Sequence, residues 1–297
     1  MYKIYTDSCC DLTLEKIRQL GIGVIPLHYS IDGTEYVDDR VDDSFFADFY
    51  ARIKRGAMTS TSQPTPEELQ ILFEEAAQKG EGLIYIALSS GISGAYGVGK
   101  MTAERCKEKY PDAQIAVVDS LCASGGFGKL VTDAVEKKNQ GMSMDELVQW
   151  LENIKLRYIH WFTVDDLDCL YRGGRVSKIG ATIGGILHLK PVLHVDNQGH
   201  LIKVGVARGR KASLMQLVQN TLRDIETSEI CKGTKQNVWV FHAACLNDAQ
   251  FCADELMKSP MVSGVTIDLI GPTIGSHSGP GTLAIFSVAD SREKAES

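Results

Sequence analysis

Residues 89–100 read Ser-Ser-Gly-Ile-Ser-Gly-Ala-Tyr-Gly-Val-Gly-Lys, and Gly94 to Lys100 has the spacing of a phosphate-binding loop. In such a loop backbone amides cradle phosphate oxygens, the lysine reaches the outer phosphates, and a following Ser or Thr holds magnesium. Met101 stands in that last position, which speaks against a nucleotide. Exposed amides at a helix start beside Ser93 still make an anion site, and a carboxylate suits it as well as a phosphate. Gly94, Gly97 and Gly99 fall inside the expected helix, where each costs about 1 kcal/mol relative to Ala. Close packing of helix on sheet accounts for them, and so does a long apolar ligand lying beside Val98 and Met101.

Other polar groups have a functional and a bland reading each. Thr61, Ser62 and Gln63 precede a helix that Thr65 already caps, so they are surplus donors or a polar surface loop. His277 sits among Gly275, Gly279 and Gly281, which permit close backbone approach, yet a lone His is often structural. Arg172 and Arg175, with Arg208, Arg210 and Lys211, make a local basic patch or a set of solvated arginines. Asp7 and Asp11 straddle a helix start, where N-capping explains them as well as acid–base chemistry does. Neither a Ser-His-Asp order nor a Gly-x-Ser-x-Gly elbow occurs, and the histidines have no metal-ligand spacing. No catalyst and no metal site is expected.

The elements that must position these residues alternate. "YKIYT", "GLIYIALSS" and "AQIAVVDS" read as strands, the last two as parallel strands covered on both faces. Helical patterns run over 12–20, 43–55, 66–79, 94–108 and 125–139, and Ile31-Asp32-Gly33 marks a hairpin. Capping boxes at Thr65/Glu68 and Ser143/Glu146 open two helices. Three strand ends carry hydroxyls, at Thr6-Asp7-Ser8, Ser89-Ser90 and Asp119-Ser120, and parallel sheets bind ligands at such ends. After residue 157 the pattern changes to a hairpin around Asn197-Gln198-Gly199, then helix 210–226, strand 237–243, helix 247–258 and strands near 264–270 and 281–288. The expectation is an α/β protein: a parallel-sheet domain over 1–157 and an α+β domain over 158–297, with the polar tail from Asp290 frayed.

Composition bounds what such a protein does. The chain has 297 residues, 44% hydrophobic and 23% charged, with a net charge of −7, which disfavours nucleic acid and anionic membranes as partners. No apolar run is long enough to span a bilayer and no leader opens the chain, so a cytoplasmic location without membrane insertion is expected. Its eight cysteines include no Cys-x-x-Cys pair and read as reduced, small apolar side chains.

Taken in order, "TDSCCDL", "TSQPTP", "SSGISGAY", "DS" at 119–120, "GGRVSK", "LKPVL" and "HSGPG" resemble the DegV family of fatty-acid-binding proteins. The resemblance implies a two-domain fold with the acyl chain in the amino-terminal domain and its carboxyl group held between the domains. Carried over by motif, Thr61, Ser62, Ser93, the Gly94 amide and His277 would bind the carboxylate. Some members are the lipid-carrying subunit of fatty acid kinase, so the resemblance also implies a separate ATP-binding kinase subunit as partner. Arg175, Arg208 and Arg210 would then dock that subunit, and this chain would need no cofactor. Two other readings stay open: an enzyme acting on a small phosphorylated substrate, and a lipid-binding regulatory or storage protein without a kinase.

Overall fold

The computed structural model describes residues 2–39, 43–175 and 189–292. The end of the "GGRVSK" motif after Arg175, and residues 293–297, lie outside them.

The first half opens with β1 (Tyr2–Asp7), a 3-10 turn, α1 (Leu14–Leu20) and β2 (Gly23–Ile25). A hairpin of β3 (His28–Ile31) and β4 (Thr34–Val37) turns at Asp32-Gly33, whose φ values of 52° and 84° are what a two-residue turn needs. Then come α2 (Asp43–Lys54), β5 (Thr59–Ser62), α3 (Pro66–Gln78), β6 (Gly82–Ala87), α4 (Ala95–Lys109), β7 (Ile115–Asp119), α5 (Ser124–Asn139) and α6 (Met144–Ile154). Both expected capping boxes are present, at Thr65/Glu68 and Ser143/Glu146. Strands β2-β1-β6-β7 form a parallel sheet. Along β6 the side chains alternate: Leu83 and Tyr85 pack with α3 and α4, while Ile84 and Ile86 pack toward α5 and α6. Strands β4-β3-β5 make a separate antiparallel sheet, so the "TSTS" stretch is a strand rather than a loop.

The second half holds β8 (Tyr158–Thr163), α7 (Asp168–Arg172), β9 (Leu189–Val195), β10 (Leu201–Arg208), α8 (Arg210–Thr227), β11 (Gln236–His242), α9 (Leu246–Leu256), β12 (Val262–Leu269), α10 (Pro272–Ser278) and β13 (Leu283–Val288). These strands form one mixed sheet in the order β10-β9-β8-β13-β11-β12, antiparallel except for β11 beside β12. Ile159, Trp161, Leu283 and Ile285 pack on one face with Leu214 and Leu217 of α8 and Ala249 and Cys252 of α9. The alternate residues, His160, Phe162, Ala284 and Phe286, turn toward the first half.

Sheet membership changes at Tyr158, but the apolar core does not stop there: Ile84, Ile86 and Phe127 share a cluster with Phe162, Phe241 and Phe286. Helix α5 is the common layer. A Cβ at Gly125 would stand 2.7 Å from the Phe286 ring, and one at Gly126 2.3 Å from His160 Nε2. The described start of the tail, residues 290–292, departs from expectation, because Asp290 accepts hydrogen bonds from Ser228 Oγ and from the amides of Glu229 and Ile230. Arg292 is 1% exposed and donates to the carbonyls of Leu121, Lys155, Tyr158 and Asp196. Those carbonyls end turns and strands in both halves, and a guanidinium satisfies several at once.

Candidate functional site

A cavity of about 350 Å³ lies between the second sheet and the first half. Its floor is one face of that sheet: Phe162 lies opposite Ala284, His160 opposite Phe286, and Val195 opposite Leu201. The first half contributes Leu27, Leu88 and Ile92, and Leu170, Ile270 and Ile274 close the remaining wall. The resemblance put an acyl chain inside the amino-terminal domain; the cavity instead lies between the halves, with most of its apolar wall from the second.

One end of the cavity is polar. Thr61 on β5 and His277 on α10 meet at 2.7 Å between Oγ1 and Nε2, although 216 residues separate them. Burial, and then the charge of Arg175, push His277 down to about 4, so its imidazole is neutral near pH 7. Its Nδ1 is buried without a hydrogen-bond partner and faces Gly173, where a Cβ would come within 2.0 Å. Ser93 and Gly94 reach the cavity from the loop before α4. Ser93 Oγ accepts from the Ala95 amide at 3.2 Å, and Gly94 is an N-cap with no side chain to satisfy the first amides.

The hydroxyls and carboxylates at the strand ends hold this loop in place rather than line the cavity. Asp7 accepts from the Leu88 amide at 2.7 Å, Asp119 from the Ser90 amide at 3.0 Å, and Ser89 Oγ from the Gly91 amide at 3.1 Å. Burial pushes Asp7 up to about 7, against the hydrogen bonds it accepts from the Leu88 and Cys9 amides and the Tyr85 hydroxyl.

Arg175 lines the same end. Its Nε donates to the Ile92 carbonyl at 3.1 Å and its Nη1 to Gly173 O, and no carboxylate pairs with it among the described residues. Burial lowers its pKa, so a neighbouring anion is favoured. The other two arginines expected beside it have their own surroundings. Arg210 is bound by Asp248 at 2.8 Å and by the Gly281 carbonyl at 2.6 Å, and Arg208 is exposed on β10. Thr61, Ser62, Ser93, Gly94, Arg175 and His277 all border one cavity.

The glycines of α4 divide differently. A Cβ on Gly99 would lie 2.9 Å from the Tyr85 ring, which is close helix–sheet packing. Gly97 has nothing within 4 Å, and neither Val98 nor Met101 borders the cavity, so no ligand wall runs along this helix. Lys100 is exposed. The sequence reading missed the cavity floor and the place of Arg175. Strand β8 is buried at every position, and an apolar run of that kind does not reveal which face borders a cavity. Among the described residues there is no cluster of three His, Cys, Asp or Glu suited to a metal, and no helix is long and apolar enough to cross a membrane.

A family profile described as "Uncharacterised protein, DegV family" matches residues 1–290. A DegV domain-containing protein of Clostridium perfringens is 39% identical over 98% of this chain and 99% of its own. A DegV lipid-binding protein of Thermotoga maritima superposes with a TM-score of 0.82 at 28% identity, covering 98% of this chain and 99% of that one. DegV of Bacillus subtilis, described as a fatty acid binding protein, has a TM-score of 0.81 at 30% identity, covering 97% and 99%.

Proposed function

Because the chain belongs to the DegV family, we propose that it binds a long-chain fatty acid in the cavity between its halves. The observation that carries this is the polarity gradient of one cavity: Phe162, Leu170, Val195 and Phe286 at its apolar walls, and Thr61, Ser93, Arg175 and His277 at its polar end. Burying a sixteen-carbon tail offers roughly 10 kcal/mol gross, at about 0.8 kcal/mol per methylene. Ordering the ligand takes back much of that. The carboxylate is oriented by the Thr61 and Ser93 hydroxyls and the Gly94 amide, with the guanidinium of Arg175 as counter-charge. His277 donates through whichever ring nitrogen carries its proton.

The chain then acts as a carrier that presents the carboxylate to a separate ATP-binding kinase subunit for acyl-phosphate formation. Arg208, exposed beside the second sheet's edge, suits docking better than Arg210, which is already paired. A small phosphorylated substrate fits less well, since it would leave the apolar walls uncovered. The test is mass spectrometry of lipid released from the purified, denatured protein. About one fatty acid per chain is expected; no lipid, together with no uptake of added palmitate, would refute the reading.

A further inference from the structure

We infer that Asp11 and Asp38 are positioning residues, two carboxylates of the first half that grip the first turn of α10 and so set where His277 stands. Asp11 Oδ1 accepts from the Gly271 amide at 3.0 Å across 260 residues. Asp38 Oδ2 accepts from the Thr273 hydroxyl at 2.6 Å. Gly271 is the N-cap of α10 and has no side chain to cap with; Asp11 takes its backbone amide, as the acidic residue of a capping box would, and Asp38 takes the Thr273 hydroxyl, so both hold the first turn from the other half. Thr273 precedes His277 by one helical turn, on the same face. A grip on the first turn therefore fixes the distance from His277 to Thr61.

The backbone around Asp11 supports a built contact. Ser124 holds a left-handed φ of 51°, uncommon for its type, and Asp11, which closes the 3-10 turn, has a φ of 52°. They are joined by the Ser124 hydroxyl donating to Asp11 Oδ2 at 2.5 Å. Asp11 thus ties the start of α5 to the start of α10, and both Ser124 and His277 border the cavity. A third bond aids the pair: the Tyr50 hydroxyl donates to the Ile270 carbonyl at 2.6 Å, one residue before the cap.

The binding part of the inference rests on the fatty-acid reading, but the placement of His277 can be followed without ligand. Asp11→Ala and, as a variant that keeps the side chain's shape, Thr273→Val should each loosen α10. The His277 ring then meets more water, and its NMR titration midpoint should rise from about 4 toward the ordinary value near 6.5. Arg175 is the charged group facing His277, so the titration is repeated with Arg175→Met to separate its field from burial. Palmitate affinity should fall roughly three- to tenfold in each variant. In a His277→Ala background the same substitutions should cost almost nothing more, because they act through that ring. Asp11→Asn, which keeps an acceptor for the Gly271 amide, should recover most of the loss. A His277 midpoint unchanged in both variants, or losses that persist in full with His277→Ala, would overturn the inference. Absence of palmitate binding with a shifted midpoint would instead refute only the fatty-acid reading.

Discussion

At the scale of single residues, the cavity's polar end makes a ranked forecast. Replacing Ser93 or His277 with Ala leaves the apolar walls intact and removes one hydrogen bond to a charged group, worth about 1.5–3 kcal/mol. Each variant should retain fatty acid but bind it roughly ten- to hundredfold more weakly, read by displacement of a fluorescent fatty acid. Arg175→Met removes the one cation that borders this end among the described residues and should cost at least as much, while Lys100→Ala, on the exposed side of α4, should cost nothing. A large effect of Lys100→Ala with none at Ser93 would place the anion at the wrong end of the glycine-rich turn. The short polar motifs made Thr61, Ser93 and His277 legible in the chain itself. Arg175 was legible as a cation but not as a cavity residue, because its role depends on the Ile92 carbonyl, 83 residues away. The tail-facing residues were illegible for another reason: Phe162 and Trp161 look alike in sequence, and only the sheet's two different neighbours separate them.

At the scale of elements, long periodic helices, buried strands and the hairpin of β3 and β4 were readable, while α7, α10 and β5 were not. Helices α7 and α10 have five and seven residues, too few to repeat a helical period, and α10 holds Gly275 and is capped by Gly271 and Gly279. Strand β5 is all Ser and Thr, so alternation of hydropathy had nothing to mark; its inward face meets the polar end of the cavity instead of a core. The glycine-bearing helices offer a paired test. Gly126→Ala puts a methyl against His160, where α5 has no slack, and should destabilise the protein by about 1–3 kcal/mol through overpacking. Gly97→Ala meets nothing within 4 Å on an exposed helix face and should stabilise by about 0.5–1 kcal/mol. Thermal melts of both variants check the pair. Weakened palmitate binding by Gly97→Ala would restore the idea that α4 forms a ligand wall.

At the scale of the whole molecule, buried histidines set the response to acid. Burial holds His277 at about 4, His194 at about 3, and His160 and His242 below their ordinary value. With native values under the unfolded value of about 6.5, their contribution is complete above that pH and is lost as pH falls through the window beneath it. Fully buried His160 and His194 each withdraw about 1.4 kcal/mol per pH unit there. Asp7 has the opposite sign: raised to about 7, it favours the fold at low pH and loses that contribution as pH rises from about 4 to 7. Four imidazoles outweigh two carboxyls, Asp7 and Asp224, which burial also raises, so Tm should drop steadily from pH 6.5 to 5; a flat or rising Tm would contradict this. The bond from Gly271 to Asp11 carries one more consequence, for the order in which a ribosome delivers the protein. At about 5–20 residues per second, the 260 residues between donor and acceptor take roughly 13–50 s to synthesise. Until it ends, the nascent first half carries Asp11, and later Thr61, without helix α10, and its side of the cavity has no floor. On the fatty-acid reading, cargo can be loaded only onto a finished polypeptide.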